Sequence, residues 1–235
     1  MRHYNDFVME DKKRIAVQEP VLTVDWIETA LSRPLPGRAA QICMAPVPRP
    51  LAPPTPEHQP RRAGVLLLLY AAEGEGELCL VLTRRTDSVA DHKGQISLPG
   101  GAVDPEDRST AHTALREACE EVGICGDDLR LLGELTPVYI EPSDFCISPH
   151  VAYLPHRPVF ELQPAEVAEL LEVPVSHFLD ERNKAVEDWL LHDPPMRVPY
   201  FDVFGHKVWG ATAMVLAEFA AVVSNAATLK PTSEE

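Results

Sequence analysis

The chain has 235 residues, 45% of them hydrophobic and 24% charged, which suits one moderate soluble domain or one domain with a short appendage. A formal net charge of −15 disfavours a protein that grips nucleic acid through its phosphates. A phosphate-bearing small molecule is still compatible with this charge, because divalent metals can bridge acidic side chains to phosphate oxygens. The apolar run at 65–72 is too short to cross a bilayer, so we predict no membrane partner.

Cysteine usage and the amino-terminal sequence indicate the compartment. The five cysteines are scattered and form no C-x-x-C pair, which argues against a disulfide framework and a zinc site and favours a reducing compartment. Residues 1–20 contain no apolar run of the kind found in secretory signals. We therefore expect a cytoplasmic protein.

Residues 1–60 are predicted to form an amino-terminal extension. Within it, residues 23–32 have apolar positions near helical spacing and begin at Thr23, which can cap a helix. Proline is dense in residues 33–60, so neither a helix nor a central strand is expected there. We interpret this segment as an extended linker or a wrap over the surface, and a role in binding a protein partner is the alternative.

Residues 61–225 are predicted to form the main domain, an α/β domain of the α+β type whose mixed sheet is covered by helices. Its predicted elements are buried strands at 63–72 and 78–85, a helix at 108–123, strands at 129–140 and 147–154, a strand ending near Pro174 followed by a short helix, a hairpin at 197–210 with its turn near Gly205, and an amphipathic helix at 211–223. Ser109 or Thr110 can cap the start of the helix at 108–123, and Gly123 suits a left-handed end. Residues 226–235 are predicted to be a flexible tail.

The helix at 108–123 concentrates negative charge on one face. At 100° per residue, Glu117, Glu120 and Glu121 fall within about 100° of arc, beside an apolar face that would pack on the sheet. Like charges three and four residues apart repel each other. We therefore expect Arg116 to neutralise one carboxylate and a hard divalent cation to bind the others. A solvated acidic patch is the alternative from spacing alone.

The segment before this helix favours the metal-site interpretation. Gly100 and Gly101 allow backbone conformations closed to other residues and let a ligand approach closely. A positive pole just before the glycines consists of Arg84, Arg85, His92 and Lys93, and we interpret it as contacts to substrate phosphates. Ordinary charge at a strand end is the alternative.

The residues from Arg116 to Ile124 resemble the second half of the Nudix box, the signature of the Nudix hydrolases. The whole signature is G-x5-E-x7-R-E-U-x-E-E-x-G-U, where U is aliphatic, and its first glutamate would fall at Arg108 here. The nearest acids are Glu106 and Asp107, so the spacing is one or two residues longer than the general pattern.

The stretch before the helix is similar to the coenzyme A pyrophosphatase branch of this family, which carries a pattern like LLTxRSxxLRxHxGQxxFPGG. The residues that match are Leu82, Thr83, Arg85, His92, Gly94, Gln95, Pro99, Gly100 and Gly101. The residues that depart are Thr86, Ala90 and Leu98, together with Asp144, which replaces a glycine in a second matching stretch. The resemblance covers residues 62–223.

The resemblance implies the Nudix fold, in which a mixed sheet lies between helices. It also implies Mg²⁺- or Mn²⁺-dependent hydrolysis of the pyrophosphate bond of coenzyme A or a related nucleoside diphosphate derivative. With coenzyme A the products are adenosine 3′,5′-bisphosphate and 4′-phosphopantetheine. Glu117, Glu120 and Glu121 are the expected metal ligands, and Arg116 is expected to orient a glutamate.

The position of the catalytic base stays open between two groups of residues. Glu120 is the first candidate, which places it with Glu117 and Arg116 in the catalytic set. The alternative base comes from a downstream cluster that contains Glu166, Glu169 and Glu172.

Two further alternatives concern the activity. The substrate could instead be ADP-ribose, a dinucleotide or a nucleoside triphosphate. A Nudix module that senses a nucleotide without cutting it is less favoured, because all three glutamates and the arginine are present. The expected partner is a small molecule, with no nucleic acid and no membrane, and a homodimer is left open.

Overall fold

The structure, a computed structural model, describes residues 22–50, 52–55, 57–72, 77–86, 94–126, 128–190 and 195–228. His92 and Lys93, two of the predicted phosphate contacts, lie outside these residues, as does Ala90. None of the helices within these ranges combines the length and the apolar character of a membrane span.

In the described part of the chain, eight strands form a mixed sheet and three more form a smaller antiparallel sheet. The strands are β1 (Arg61–Ala71), β2 (Leu78–Arg85), β3 (Ile96–Ser97), β4 (Gly100–Ala102), β5 (Arg130–Glu134), β6 (Val138–Ile140), β7 (Phe145–Leu154), β8 (Val167–Pro174), β9 (Lys184–Trp189), β10 (Met196–Val203) and β11 (His206–Trp209). The helices are α1 (Val24–Leu31), α2 (Arg38–Gln41), α3 (Thr110–Val122), α4 (Val175–Leu179) and α5 (Gly210–Thr228), with 3-10 turns at Ile42–Met44, Glu141–Ser143 and Glu181–Asn183.

The larger sheet has the order β3-β2-β1-β7-β5, and β1 runs parallel to β7. Strand β4 pairs with β1, β6 with β7, and β8 with β2. The smaller sheet has the order β11-β10-β9. The larger sheet thus combines parallel and antiparallel pairs, as predicted.

Strand β1 is buried on both faces, which explains its continuous apolar run. Leu66, Leu68 and Tyr70 belong to a core cluster that includes the apolar residues of α3. Leu67 and Leu69 point to the opposite face, because side chains alternate along a strand, and join a cluster with α1 and α5. Helices therefore cover both faces of the sheet, and the predicted fold class is confirmed.

Local sequence signals for the ends of elements are also confirmed. The Ser109 hydroxyl caps α3 by accepting a hydrogen bond from the His112 backbone N–H at 3.1 Å, and Gly123 ends the helix at φ 75°. Strand β8 ends at Pro174 and α4 follows it directly. The hairpin of β10 and β11 turns at Gly205, whose φ is 88°.

The proline-rich segment 33–60 contains a helix, which contradicts the prediction of none. Helix α2 is four residues long and continues into a 3-10 turn that ends at Met44. The side chains of Met44 and Ala45 are buried at 3% exposure, and α2 packs against α5. Tertiary contacts therefore stabilise a helix too short to be marked by periodicity. The segment lies over the main domain, and the predicted domain boundary near residue 61 stays a prediction.

Helix α5 is buried around its circumference rather than amphipathic as predicted. Consecutive residues from Ala213 to Ala220 are all buried, which covers more than two turns. The reason is that α1, α2, α4 and strands of both sheets contact it from different sides. It also extends as helix to Thr228, within the predicted tail.

A buried carboxylate joins the amino-terminal segment to this helix. Glu218 is fully buried and accepts hydrogen bonds from the Gln41 side-chain amide at 2.7 Å and the Thr136 hydroxyl at 2.7 Å. It also accepts from the Gly37 backbone N–H at 3.1 Å. The carboxylate therefore satisfies donors from two separate parts of the chain.

Replacing Glu218 with alanine is expected to lower the free energy of unfolding by about 3 kcal/mol, because several buried donors lose their acceptor at once. Denaturant unfolding of the full chain measures this change. Glu57→Ala, at an exposed position, is the control and should change stability by less than about 0.5 kcal/mol. An equal effect of the two substitutions would contradict this role of Glu218.

Cys119 and Cys125 form a disulfide, which corrects the expectation drawn from the scattered cysteines. The two residues flank the end of α3, where the chain reverses at Gly123 and brings their Cα atoms to 4.8 Å. A C-x5-C spacing gave no signal because it depends on this reversal. The inference of a reducing compartment from cysteine usage therefore loses its support.

Candidate active site

Arg116 is the centre of a charged network at the start of the glutamate face of α3. Its guanidinium donates to Glu117 Oε1 at 2.9 Å and to Glu120 Oε2 at 3.1 Å. It also donates to both carboxylate oxygens of Asp107, at 3.2 and 3.0 Å. These bonds raise the pKa of the Arg116 guanidinium, mainly through Asp107. The expectation that Arg116 orients a glutamate agrees with this geometry.

Asp107 is the site residue that the sequence interpretation did not assign. Its side chain is 1% exposed and also accepts from His112 Nδ1 at 2.8 Å, the Thr113 hydroxyl at 2.9 Å and the Asp104 backbone N–H at 2.9 Å. These donors, with Arg116 foremost, hold the pKa of the Asp107 carboxyl well below its usual range. Asp107 thus holds Arg116 in place from a position next to Arg108, where the general pattern would have its first glutamate. This closeness to the pattern was the sequence signal that could have identified Asp107.

The three glutamates of α3 differ in burial although they share one face. The side chains of Glu117 and Glu120 are 17% and 58% exposed, whereas the whole of Glu121 is 4% exposed. Gly101 lies directly against Glu117, since a Cβ atom on Gly101 would come within 2.3 Å of Glu117 Oε1. The lack of a side chain at this position therefore makes room for the glutamate.

Glu121 is a buried carboxyl whose Oε2 has no hydrogen-bond partner among the described residues. Burial, together with the charges of Glu117 and Glu166, raises the pKa of Glu121 to about 8, and nearby Arg85 partly opposes this shift. The Gly100 backbone N–H is near the same carboxyl group and also opposes the rise of its pKa. Gly100 and Gly101 therefore both contact the metal-ligand candidates.

A divalent cation suits this set of donors. Three carboxylates on one helix face are oxygen ligands of the kind that Mg²⁺ and Mn²⁺ prefer. In the described part of the chain, no donor bonds to Glu121 Oε2. Within the described ranges, however, no three His, Cys, Asp or Glu groups converge as a metal site requires. Arg116 holds Glu117 and Glu120 instead. A cation would compete with Arg116 for these oxygens.

A cavity of about 860 Å³ lies at the end of β2, and none of its described lining residues belongs to α3. Arg85 lines it and is also close enough to Glu121 to affect the pKa of that carboxyl. Its guanidinium Nε is buried and has no hydrogen-bond partner in the described part of the chain. Arg85 therefore lies between the cavity and Glu121, and its guanidinium can bind an anionic substrate in the cavity.

Arg84 makes different contacts from its neighbour Arg85. Its Nε donates to Glu169 Oε2 at 3.0 Å, and it is absent from the described lining of the cavity. The two arginines project differently because side chains alternate along a strand. The prediction of a phosphate contact thus has geometric support at Arg85, whereas at Arg84 the alternative of strand-end charge gains weight.

The three glutamates proposed as alternative bases, Glu166, Glu169 and Glu172, have different partners. Glu172 is paired with Arg157, with both N–O distances at 2.7 Å, and Glu169 is paired with Arg84. Glu166 is exposed, and its charge raises the pKa values of Glu117 and Glu121. Of the alternative bases, Glu166 is therefore the one whose charge acts on the glutamates of α3.

Asp107→Asn is expected to lower both the melting temperature and the turnover number. The amide keeps the shape but cannot hold Arg116 with two anionic oxygens, so Glu117 and Glu120 lose their fixed positions. Residues that orient ligands in this way typically contribute about 10- to 100-fold in activity. Steady-state hydrolysis with thermal melting measures the effect. Asp104→Asn, whose carboxyl is 3.7 Å from Arg116 and 63% exposed, should remain close to wild type, and equal losses would contradict the assignment.

Sequence comparisons identify the family of this chain. The profile of the NUDIX domain matches residues 60–191. An uncharacterized Nudix hydrolase, NudL, of Photorhabdus laumondii is 35% identical over 171 residues, or 72% of this chain and 89% of that protein. Nudix hydrolase 22, chloroplastic, of Arabidopsis thaliana is 32% identical over 171 residues, or 70% of this chain and 56% of that longer protein.

Among solved structures, a Nudix hydrolase of M. smegmatis, RenU, matches with a TM-score of 0.46 and 18% identity, covering 74% of this chain and 90% of the other. The matched domain includes the complete run from Arg116 to Ile124 and the charged network built on it. The chain therefore belongs to the Nudix family of pyrophosphohydrolases.

Proposed function

We propose that this enzyme hydrolyses the pyrophosphate bond of coenzyme A, or of a closely related nucleoside diphosphate derivative, with Mg²⁺ or Mn²⁺. The observation that carries the proposal is the composition of the cavity wall. Arg85 and Gln95, which belong to the stretch similar to the coenzyme A pyrophosphatase branch, both line the cavity, and Arg85 also acts on Glu121 of the glutamate helix. Two of the residues that carry the resemblance therefore line one cavity, which supports the proposal.

The size of the cavity supports a substrate of this class. Its volume of about 860 Å³ is near the upper end of the range of small-molecule pockets. The cavity is also lined by apolar side chains, those of Ile140, Phe145 and Trp209. A ligand with both charged phosphates and apolar parts, as in coenzyme A, matches this mixture.

Two departures from the branch pattern have structural explanations that leave the cavity unchanged. Asp144 adopts a left-handed conformation with φ 52°, which a glycine would adopt readily, and Asp tolerates it through local hydrogen bonds. Its Oδ1 accepts from His58 Nε2 at 2.7 Å and from the Tyr139 hydroxyl at 3.1 Å. Leu98 is 4% exposed and belongs to the core. Neither residue lines the cavity.

The roles of the residues follow from their contacts. Glu117, Glu120 and Glu121 would hold the cation, which supplies positive charge to neutralise the phosphate oxygens and polarise water. Arg116, fixed by Asp107, positions Glu117 and Glu120.

Two carboxylates can take the proton from the attacking water. Glu120 is exposed on the glutamate face, and Glu166 acts on the same face from the segment before β8. Arg85 binds the substrate phosphate nearest to Glu121, because its buried Nε is a donor that meets no acceptor among the described residues.

A comparison of kcat/KM values tests the substrate assignment. Coenzyme A, ADP-ribose, a diadenosine polyphosphate and a nucleoside triphosphate are each assayed with Mg²⁺ and with Mn²⁺. We expect coenzyme A to exceed the others by at least about tenfold, since sites that hydrogen-bond a substrate group discriminate strongly against analogues that lack it. A higher value for another diphosphate would transfer the assignment to that substrate. Binding without turnover of any of them would favour the sensing module.

A further inference from the structure

Two of the buried polar atoms that lack a hydrogen bond in the described part of the chain belong to arginines that line one cavity. In the described residues, the buried side-chain nitrogen and oxygen atoms that lack a hydrogen bond are Nε of Arg49, Nε of Arg85 and Oε2 of Glu121. Arg85 and Glu121 belong to the site already described. Arg49 lines the same cavity but comes from the amino-terminal extension, which the matched NUDIX domain does not include.

The extension holds Arg49 in a defined position. The backbone of Val47 forms two hydrogen bonds with Arg197 of β10, each 2.9 Å long. Just before it, Met44 and Ala45 are buried in the core. Arg49 therefore follows a firmly attached segment, as a binding residue requires.

The cavity is cationic in a protein that is strongly anionic. Arg49, Arg61 and Arg85 line it, and Glu141 is the acidic residue among the described lining residues. The guanidinium of Arg61 stacks on the Phe145 ring at 4.1 Å from its centre. Burial lowers the pKa of Arg49, and Glu141 partly opposes this shift. Three guanidinium groups in one cavity favour a ligand with more negative charge than one phosphate group carries.

We propose that Arg49 binds a phosphate group of the substrate that is not hydrolysed, a phosphomonoester on its nucleotide part, while Arg85 serves the diphosphate. This inference rests on the proposed function, in which coenzyme A supplies such a group as its 3′-phosphate. Arg49 is then a specificity residue supplied by the extension. It accounts for a task of the segment 33–60 beyond covering the domain.

Binding of nucleotides without metal tests the proposal directly. Titration calorimetry of the full chain in chelator compares adenosine 3′,5′-bisphosphate with adenosine 5′-monophosphate. We expect the wild type to bind the bisphosphate about 10- to 100-fold more tightly, as one charge-assisted contact allows. Arg49→Gln should remove most of this preference and Arg49→Lys should keep part of it. Arg33→Gln, at an exposed position of the same extension, should keep all of it.

Two results would overturn the role of Arg49. One is a wild type that does not prefer the bisphosphate, which needs no variant to fold. The other is an Arg49→Gln protein, with an unchanged melting temperature, that retains the full preference.

Turnover separates this inference from the proposed function. If wild type and Arg49→Gln hydrolyse coenzyme A and 3′-dephospho-coenzyme A with the same ratio of kcat/KM, the inference fails and the activity stands. If the bisphosphate preference depends on Arg49 but coenzyme A stays intact, the phosphate site stands and the proposed substrate fails.

Discussion

Glu120→Gln is expected to lower kcat for diphosphate hydrolysis about 10²- to 10⁴-fold while the fold persists. Glu120 contributes an anionic oxygen at the exposed end of the glutamate face, and glutamine can neither hold a cation equally well nor accept a proton from water. Its carboxylate accepts a hydrogen bond from the Arg116 guanidinium at 3.1 Å, and its side chain is 58% exposed. Stability should therefore change by less than about 1 kcal/mol.

The control for this experiment is Glu106→Gln, which removes an exposed acid from the preceding loop. Steady-state kinetics and thermal melting of both variants separate a catalytic loss from unfolding. Turnover of Glu120→Gln close to that of the wild type would remove Glu120 from the mechanism. The parallel variant Glu166→Gln then decides whether the downstream carboxylate is the base.

Glu121→Gln is expected to make the metal-free protein more stable and the enzyme inactive. Glu121 is 4% exposed, and its Oε2 finds no hydrogen bond in the described part of the chain. A neutral amide of the same shape removes the cost of either protonating this buried carboxyl group or keeping it charged near neutral pH, for a gain of about 1–3 kcal/mol. The same change removes a metal ligand, so added Mn²⁺ should no longer raise the melting temperature.

Thermal melting in chelator and in Mn²⁺ measures both halves of this expectation. The wild type should be less stable than Glu121→Gln in chelator and should gain stability with Mn²⁺. Glu57→Gln, an exposed position away from α3, should follow the wild type in both conditions. A variant that is less stable than the wild type in chelator, or that gains as much from Mn²⁺, would contradict the assignment of Glu121.

Sequence patterns predicted those elements whose ends are marked by local chemistry. Ser109 and Gly123 bound α3 because a hydroxyl cap and a left-handed glycine act within a few residues. Pro174 marked the change from β8 to α4, and Gly205 marked the hairpin turn. The apolar run of β1 likewise indicated a buried strand, and the two core clusters show that both of its faces are covered.

Features that depend on distant parts of the chain were missed. Helix α2 is stabilised by α5, so its own periodicity does not predict it. Helix α5 was predicted, but its burial on all sides depends on elements from both ends of the chain. The disulfide of Cys119 with Cys125 depends on the reversal at Gly123. At the site, the residue spacing in α3 predicted that its glutamates share one face. The burial of Asp107 and the position of Arg49 in the cavity wall depend on tertiary contacts, so the sequence did not indicate them.

Product analysis tests the central claim most directly. The pure full-length chain is incubated with coenzyme A and Mg²⁺ or Mn²⁺, and the products are separated by chromatography and identified by mass. We predict adenosine 3′,5′-bisphosphate and 4′-phosphopantetheine in equal amounts, and none in the presence of chelator. Intact coenzyme A, in a preparation that hydrolyses ADP-ribose or another diphosphate under the same conditions, would contradict the claim.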